Sequence, residues 1–330
     1  MKIHPRLLVL MSLLFLIIVL VVAPFIGSQS LNYREVWQFI QGSSTPDGLI
    51  FFRIRLPRIL LGVLAGASLS LAGVIFQALL RNPLATPYTL GVSSGGALGA
   101  LVAIKSGLAV SLLGFSSIQV AAFFGSLLTI LLVYLLARRV GKLSIHIMIL
   151  AGVTISYFIA AVNLMLHYLA DFTETHQMIR WMMGGLDIVN YTVLMHSFPV
   201  LLIAFVGLWS MARTYNILST SEETALSKGV NVARIQKLSF VLASVMTGTV
   251  VALCGPIGFV GLIVPHLIRI AGGPDHRFLI PSSVFFGGAF LALADTFART
   301  LLAPIDLPVG ILTALIGGPF FLWLLFRQRI

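Results

Sequence analysis

Few side chains in this sequence are equipped for chemistry, and the arginines lead them. Arg53, Arg55 and Arg58 fall within RIRLPR, directly ahead of a long apolar run, and Arg299 closes another such run. A guanidinium in that setting presents a planar fork of donors that matches a carboxylate bidentately. Read from the residues alone, such arginines would reach up to lipid head groups, with Arg299 paired to Asp295 one turn earlier. His266 and Arg269 in PHLIR, and Asn163 and His167 four residues apart, are further polar groups set in apolar sequence. Cys254 is the only cysteine, so an internal disulfide or a paired-cysteine metal site is excluded. Val140-Gly141-Lys142-Leu143 comes nearest to a phosphate-binding loop, yet it lacks the upstream glycine and the following Ser or Thr. An intramembrane enzyme would need a convergent nucleophile, base or metal set, and the sequence shows no such pattern. The chain is therefore expected to do no catalysis.

These groups must be positioned by membrane helices. Of 330 residues, 58% are hydrophobic and only 9% charged, against roughly a quarter charged in soluble domains. Continuous apolar runs near 20 residues exclude an outer-membrane barrel, whose segments are short and alternating. The net charge of +11 is spread over short loops without interleaved aromatics, which argues against nucleic acid. Spans are predicted over 7–27, 58–80, 91–108, 116–137, 146–168, 192–211, 235–254, 258–270, 279–301 and 309–326. Lys2 and Arg6 ahead of the first run resemble a signal peptide, but an uncleaved first span fits the count of ten. The eighth, bracketed by Gly255-Pro256 and Gly272-Gly273-Pro274, reaches only about 20 Å of a core about 30 Å thick. It is expected to be short or partly re-entrant, in surroundings that satisfy its backbone. Ten crossings put both termini on one side. The loops there hold 14 basic residues against three acids, and the opposite loops hold seven against seven. The first side is cytoplasmic, which leaves the RIRLPR arginines outside. The fold class is an all-α polytopic membrane protein, one transmembrane domain over 1–330.

The most polar cytoplasmic stretch is STSEETALSKGVN, 219–231. Ser219 with Glu222 reads as a capping box, and Glu223 adds charge suited to a helix N-terminus. Ala225 and Leu226 carry the helix, Lys228 lies in its last turn, and Gly229 supplies the left-handed stop. Asn231 then caps the next span. The segment is either a solvated connector or a lever that a partner moves. Nothing in the chain supplies energy: no phosphate loop is complete, and no charged relay lies clearly at mid-membrane. Glycines four apart, Gly62 with Gly66 and Gly91 with Gly95 and then Gly99, read first as close helix packing.

Long segments resemble a known family. RLPRILLGVLAGASLSLAGVIFQALLRNPLATPYTLGVSSGGALGA (55–100), EETALSKGVN (222–231), GPIGFVGLIVPHLIRIAGGPDHRFLIP (255–281), ADTFAR (294–299) and LPVGILTALIGGPFFLWLL (307–325) look like the iron-chelate and vitamin B12 importer permeases, the FecCD family of type II ABC importers. The resemblance implies ten helices per copy and two copies around a central pathway. It also implies two cytoplasmic ATPase subunits that hold the ATP and Mg, a substrate-binding protein docked outside, and no cofactor on this chain. By position it makes 215–231 the coupling segment. It makes Arg55, Arg58 and Arg299 receivers of binding-protein carboxylates, a role in which complementarity fixes register and speeds docking.

The same resemblance puts a short gating helix within DFTETHQMIRWMMGGLD, 171–187, where Trp181 and Met182 would line the pathway, although a membrane-interface belt explains them equally. Ser93, Ser94 and Gly95 would leave room for a bulky ligand, and Asn163 and His167 are further pathway candidates. His266 and Arg269 either contact the ATPase or anchor the interface. His167 and His176 are not expected to ligate iron, because such ligands arrive already chelated. The substrate expected is a ferric siderophore, with corrinoid and haem as alternatives. A secondary transporter on an ion gradient would need midplane charges and broken helices in both halves, and neither is evident.

Overall fold

The computed structural model describes residues 3–27, 29–138, 144–187 and 190–327. The basic loop at 140–143 lies outside the described residues, as do Lys2, Arg139 and Arg329 of the charge count. Among the described residues seven helices are long and apolar enough to cross a membrane, and three shorter apolar helices accompany them. Together they match the ten predicted spans in order.

The first is α1 (Pro5–Val22), opened by Pro5, whose missing N–H costs nothing in a first turn. A 3₁₀ turn at Ala23–Phe25 ends it. On the outer side follow α2 (Tyr33–Ile40), capped by Asn32, and α3 (Pro46–Ile50). Neither was predicted, because helices of eight and five residues do not stand out when the chain is divided by apolar runs of about 20 residues. RIRLPR corrects the expectation more sharply. The arginines do not precede a helix; a π turn over Phe51–Arg55 joins α3 directly to α4 (Leu56–Leu80). The physical cause is Pro57, which has no N–H to donate, so the ladder slips to a wider turn where the proline enters. The helical rod therefore runs from Pro46 to Leu80, 35 residues.

Beyond it come α5 (Val92–Ser106), a small hairpin of β1 (Ser111–Leu112) and β2 (Phe115–Ser116), α6 (Ser117–Ala137) and α7 (Ile145–Tyr168). Outside lies α8 (Phe172–Met182), opened by a capping box between Asp171 and Glu174. Then α9 (Tyr191–Ser210) returns inward to α10 (Ala212–Leu218) and α11 (Glu222–Ser227). The chain closes with α12 (Val232–Cys254), α13 (Val260–Gly272), α14 (His276–Leu301) and α15 (Val309–Arg327).

The centre is α4, buried along most of its length and packed by α14, α12, α13 and α9. Lipid offers no hydrophobic drive for helix association, so close backbone approach must supply the packing. A Cβ on Gly66 would lie 2.2 Å from the Gly287 carbonyl oxygen of α14, and one on Gly73 would lie 1.8 Å from that of Gly261 in α13. The glycine pattern is thus a packing device. Gly95 and Gly99 serve the same purpose between α5 and α6, against Gly125 and Ala121. Because Gly261 meets Leu69 and Gly73, past the midpoint of α4, α13 lies against the inner half of that helix. The irregular link 255–259 above it is secured at one point by Tyr88, whose hydroxyl oxygen accepts from the Ile257 N–H at 3.2 Å.

Candidate functional site

Three places bear on function: the outer arginine cluster, the inner elbow, and the clasp between them. In the outer cluster Arg58 grips Asp295 with two parallel bonds, Nε to Oδ2 and Nη2 to Oδ1, both 2.9 Å. Asp295 is fully buried, and its other neighbour Arg299 stands off at 3.9 Å. The pairing of Asp295 with Arg299 foreseen from spacing therefore exists only as the weaker contact. Around the same guanidinium Asp187 lies at 3.7 Å and Asp306 at 3.6 Å, both partly exposed. Arg180 pairs with Asp187 at 3.3 Å.

Arg55 is buried. Its Nη1 donates to the carbonyls of Pro24 and Phe25, at 3.3 and 3.1 Å, and its Nη2 donates to Gln29 at 2.5 Å. It closes the carbonyls that the end of the first span leaves open. Gly27 is needed beside it, since a Cβ there would meet the guanidinium at 2.7 Å. Arg299, also buried, donates to Ala23 at 3.3 Å. Of the three arginines expected to face outward, Arg55 thus spends its fork on internal carbonyls, Arg299 is buried with one bond to the Ala23 carbonyl, and Arg58 keeps an edge at the surface. Arg53 is the exposed arginine of RIRLPR. The signal that Arg55 turns inward was available only from its place in the helix, and the π turn hid that place.

At the cytoplasmic end, α11 begins two residues later than the predicted box requires. Ser221 is its N-cap and accepts from the Thr224 N–H at 2.9 Å. Ser219 instead hydrogen-bonds back to the Asn216 carbonyl, at the end of α10. Its turn is still part of the preceding helix, which is why the Ser219–Glu222 box does not form. Glu222 and Glu223 occupy the first turn as expected. Ala225 is fully buried and Leu226 exposed. The stop is a Schellman motif: Gly229 at φ +74° bonds to the Leu226 carbonyl at 2.9 Å, and Val230 to that of Ala225 at 3.0 Å. Lys228 is the C-cap. Asn231 caps α12 through the Arg234 N–H.

This elbow is tied to three spans. The Tyr215 hydroxyl and Ser239 of α12 are 2.6 Å apart. Asn216 donates to Asp275 at 2.7 Å and accepts from the His276 N–H at 2.8 Å, at the head of α14. Arg81, closing α4, faces Glu222 at 3.8 Å. The Asp275 carboxyl is held well below the usual range, chiefly by its hydrogen bonds from Arg277 and then by that from Asn216. Arg269 of PHLIR donates to Gln77 of α4 at 2.9 Å, so within this chain it fastens α13 to α4, while the buried His266 Nε2 has no partner among the described residues.

The outer end of α12 enters the clasp. Its Cys254 carbonyl accepts from the Gly185 N–H at 2.8 Å, and the Gly184 carbonyl accepts from the Gly310 N–H at 3.0 Å. Gly184 at φ +69° lies so close to Pro256 that a Cβ would be 2.2 Å from its carbonyl oxygen. The Gly184-Gly185 turn that ends WMMGG is thus pinned by backbone between α12 and α15. Beside it a cavity of about 470 Å³ is lined by Met182, Met183, Pro256, Gly310, Ile311 and Leu315. His167 Nε2 lies 3.4 Å from Met182 Sδ, and Trp181 is half-buried. Asn163, one turn below His167 on α7, is buried with its Oδ1 unpartnered among the described residues. Ser93 and Ser94 are half-buried at the other end of α5, so the pathway candidates form two groups. Gly95 belongs to neither, because its surface is spent on α6. Among the described residues no three His, Cys, Asp or Glu side chains are placed to hold a metal ion.

Comparison with known proteins now adds to this geometry. The model of the FecCD transport family matches residues 14–327. The hemin transport system permease protein HmuU of Yersinia pestis is 40% identical over 333 residues, covering 99% of this chain and 98% of that protein. The cobalamin import system permease protein BtuC of Halobacterium salinarum is 43% identical over 276 residues, covering 84% of this chain and 73% of that one. A solved metal-chelate type ABC transporter in an inward-facing conformation superposes with a TM-score of 0.84 at 32% identity, covering 98% of this chain and all of that one.

Proposed function

The chain belongs to the FecCD transport family, and from that premise we propose that it is the permease subunit of an ATP-driven importer whose cargo is an iron chelate, in the first instance a ferric siderophore. It is a multi-pass protein of the cytoplasmic membrane and a metal-chelate type importer permease that makes and breaks no covalent bonds. In the proposed assembly it pairs with a second copy around the pathway. Two cytoplasmic ATP-binding subunits carry the ATP and Mg, and a binding protein delivers the chelate outside.

The observation that carries the reading is family membership over nearly the whole length, and the geometry supplies a mechanism suited to it. The elbow α10–α11 is the proposed lever: Ser219, Glu222, Glu223, Leu226 and Lys228 form its surface, Ala225 seats it, and Gly229 stops it. One rod, α12, starts at this lever through Asn231 and ends in the outer clasp through Cys254. A push from a closing ATPase on α11 is thereby delivered to the WMMGG turn without a flexible joint among these bonds. The cavity beside that turn, lined in part by Met182, is together with Trp181, His167, Asn163, Ser93 and Ser94 the proposed lining of the pathway.

For docking, Arg58 offers its edge to an incoming carboxylate in place of the exposed Asp187 or Asp306. Arg55 and Arg299 hold the surrounding surface in place. Relatives named for hemin and cobalamin transport make haem and corrinoid the competing cargoes.

The test is uptake by cells lacking this chain, supplied at nanomolar concentration with radiolabelled ferric siderophores, haemin or cobalamin. Selective loss of ferric-siderophore uptake is expected. Loss confined to haemin or cobalamin would move the cargo to that class, and unchanged uptake of all three would end the iron-chelate reading.

A further inference from the structure

A second large cavity lies far from the clasp and outside the transport mechanism. It is an apolar groove of about 730 Å³ between α1, α4, α9 and α14. Its walls include Leu64, Ala67, Leu71, Leu201, Phe205 and Phe285, and its rim carries Arg6, Arg277 and Trp209. All three rim residues belong to helix ends on the cytoplasmic side. Ala67 lies on the α4 wall of the groove, between Leu64 and Leu71 on the same helix face.

Its depth is informative. On α9 the lining runs from Phe198 to Trp209, a rise of about 16 Å at 1.5 Å per residue. Half of a hydrocarbon core is about 15 Å. The groove therefore opens at the cytoplasmic interface and ends near mid-membrane, the dimension of one leaflet.

The rim supplies charge. Arg6 is exposed and has no ionic or hydrogen-bonding partner among the described residues. Arg277 engages Asp275 through Nε and Nη2 and lies over the Phe278 ring. That leaves the Nη1 edge of its fork for a further acceptor. Trp209 adds an indole at the level where aromatic side chains meet head groups. Apolar walls one leaflet deep beneath two guanidiniums fit an anionic amphiphile with a hydrocarbon tail. Basic pockets between spans on the cytoplasmic side have this character.

We propose that this groove is a lipid site: it holds an acyl chain of an anionic phospholipid of the cytoplasmic leaflet, with the phosphate at Arg6 and Arg277. The lipid completes the packing among α1, α4, α9 and α14 where the protein leaves a gap. This does not depend on which chelate is carried.

The experiment uses the full chain in nanodiscs of equal phosphatidylglycerol and phosphatidylcholine, released into the gas phase for native mass spectrometry of retained lipid. The unaltered protein is expected to keep phosphatidylglycerol in preference to phosphatidylcholine. R6Q should weaken that retention about fivefold, the factor corresponding to ~1 kcal/mol per arginine at an anionic surface. A67F, which fills the groove, should abolish it, while R234Q, an exposed cytoplasmic arginine at the start of α12, should leave it unchanged. Because R6Q alters an exposed side chain, it remains informative if A67F fails to fold. Equal retention in R6Q and R234Q, retention of phosphatidylcholine as strong as of phosphatidylglycerol, or no retained lipid because another apolar partner covers the groove would each overturn the proposal.

Discussion

At the scale of single residues, the membrane converts polar side chains into structural ties. Arg58 and Asp295 form a bidentate pair in which the carboxylate is fully buried. Removing one member strands the other's charge, at a cost of roughly 3–5 kcal/mol. Arg58→Gln is therefore expected to lower the thermal midpoint in detergent markedly, and the apolar double variant Arg58→Met with Asp295→Leu should recover much of the loss. If the double variant proves no more stable than the single one, the stranded carboxylate is not the cause. Asp275 tests the opposite end of the molecule. Its carboxyl is depressed by Arg277 first and by Asn216 next, so its ionised form stabilises the fold above the unfolded value of about 3.9. That contribution is lost as pH falls from about 4 through the lower folded value. Asp275→Asn keeps a helix cap but loses the charge. Its stability deficit, followed by thermal melting, should be present at pH 7 and shrink below about pH 4.

At the scale of elements, two features decide how the helices engage. One is the approach of α4 to α13 at Gly73 and Gly261. Gly73→Ala places a methyl group where the partner backbone lies, an overpacking that costs about 1–3 kcal/mol or more. Gly318→Ala in α15, with nothing within 4 Å of the added atom, should be close to neutral in the same melting assay. The other is the cap of α11. Ser221→Ala removes the side chain that accepts from Thr224 and should cost ~1 kcal/mol of local helix stability. Ser219→Ala should cost little. Hydrogen exchange across 222–228 distinguishes the two, and a larger effect at Ser219 would restore the box expected from sequence.

At the scale of the whole molecule, α12 links the inner elbow to the outer clasp, and the proposed coupling depends on that continuity. Deleting 222–228 should leave ATP hydrolysis by the partner subunits running while uptake stops. Uptake at the full rate without the segment would remove α11 from the mechanism. The sequence by itself determined the membrane class, the ten spans, the sidedness and the family, because apolar length, loop charge and long shared segments are local properties of the chain. It also placed the Gly229 stop and the Asn231 cap, which involve only neighbouring residues. Only the folded chain shows that Arg55 and Arg299 turn inward, that Gly95 packs on α6, and that Asp295 pairs with Arg58 in preference to Arg299. Each of those outcomes depends on which carbonyl, helix or carboxylate another element brings up, 31 residues away for Arg55 with Pro24 and 237 for Arg58 with Asp295. No spacing within one helix records what the fold will bring against its other face.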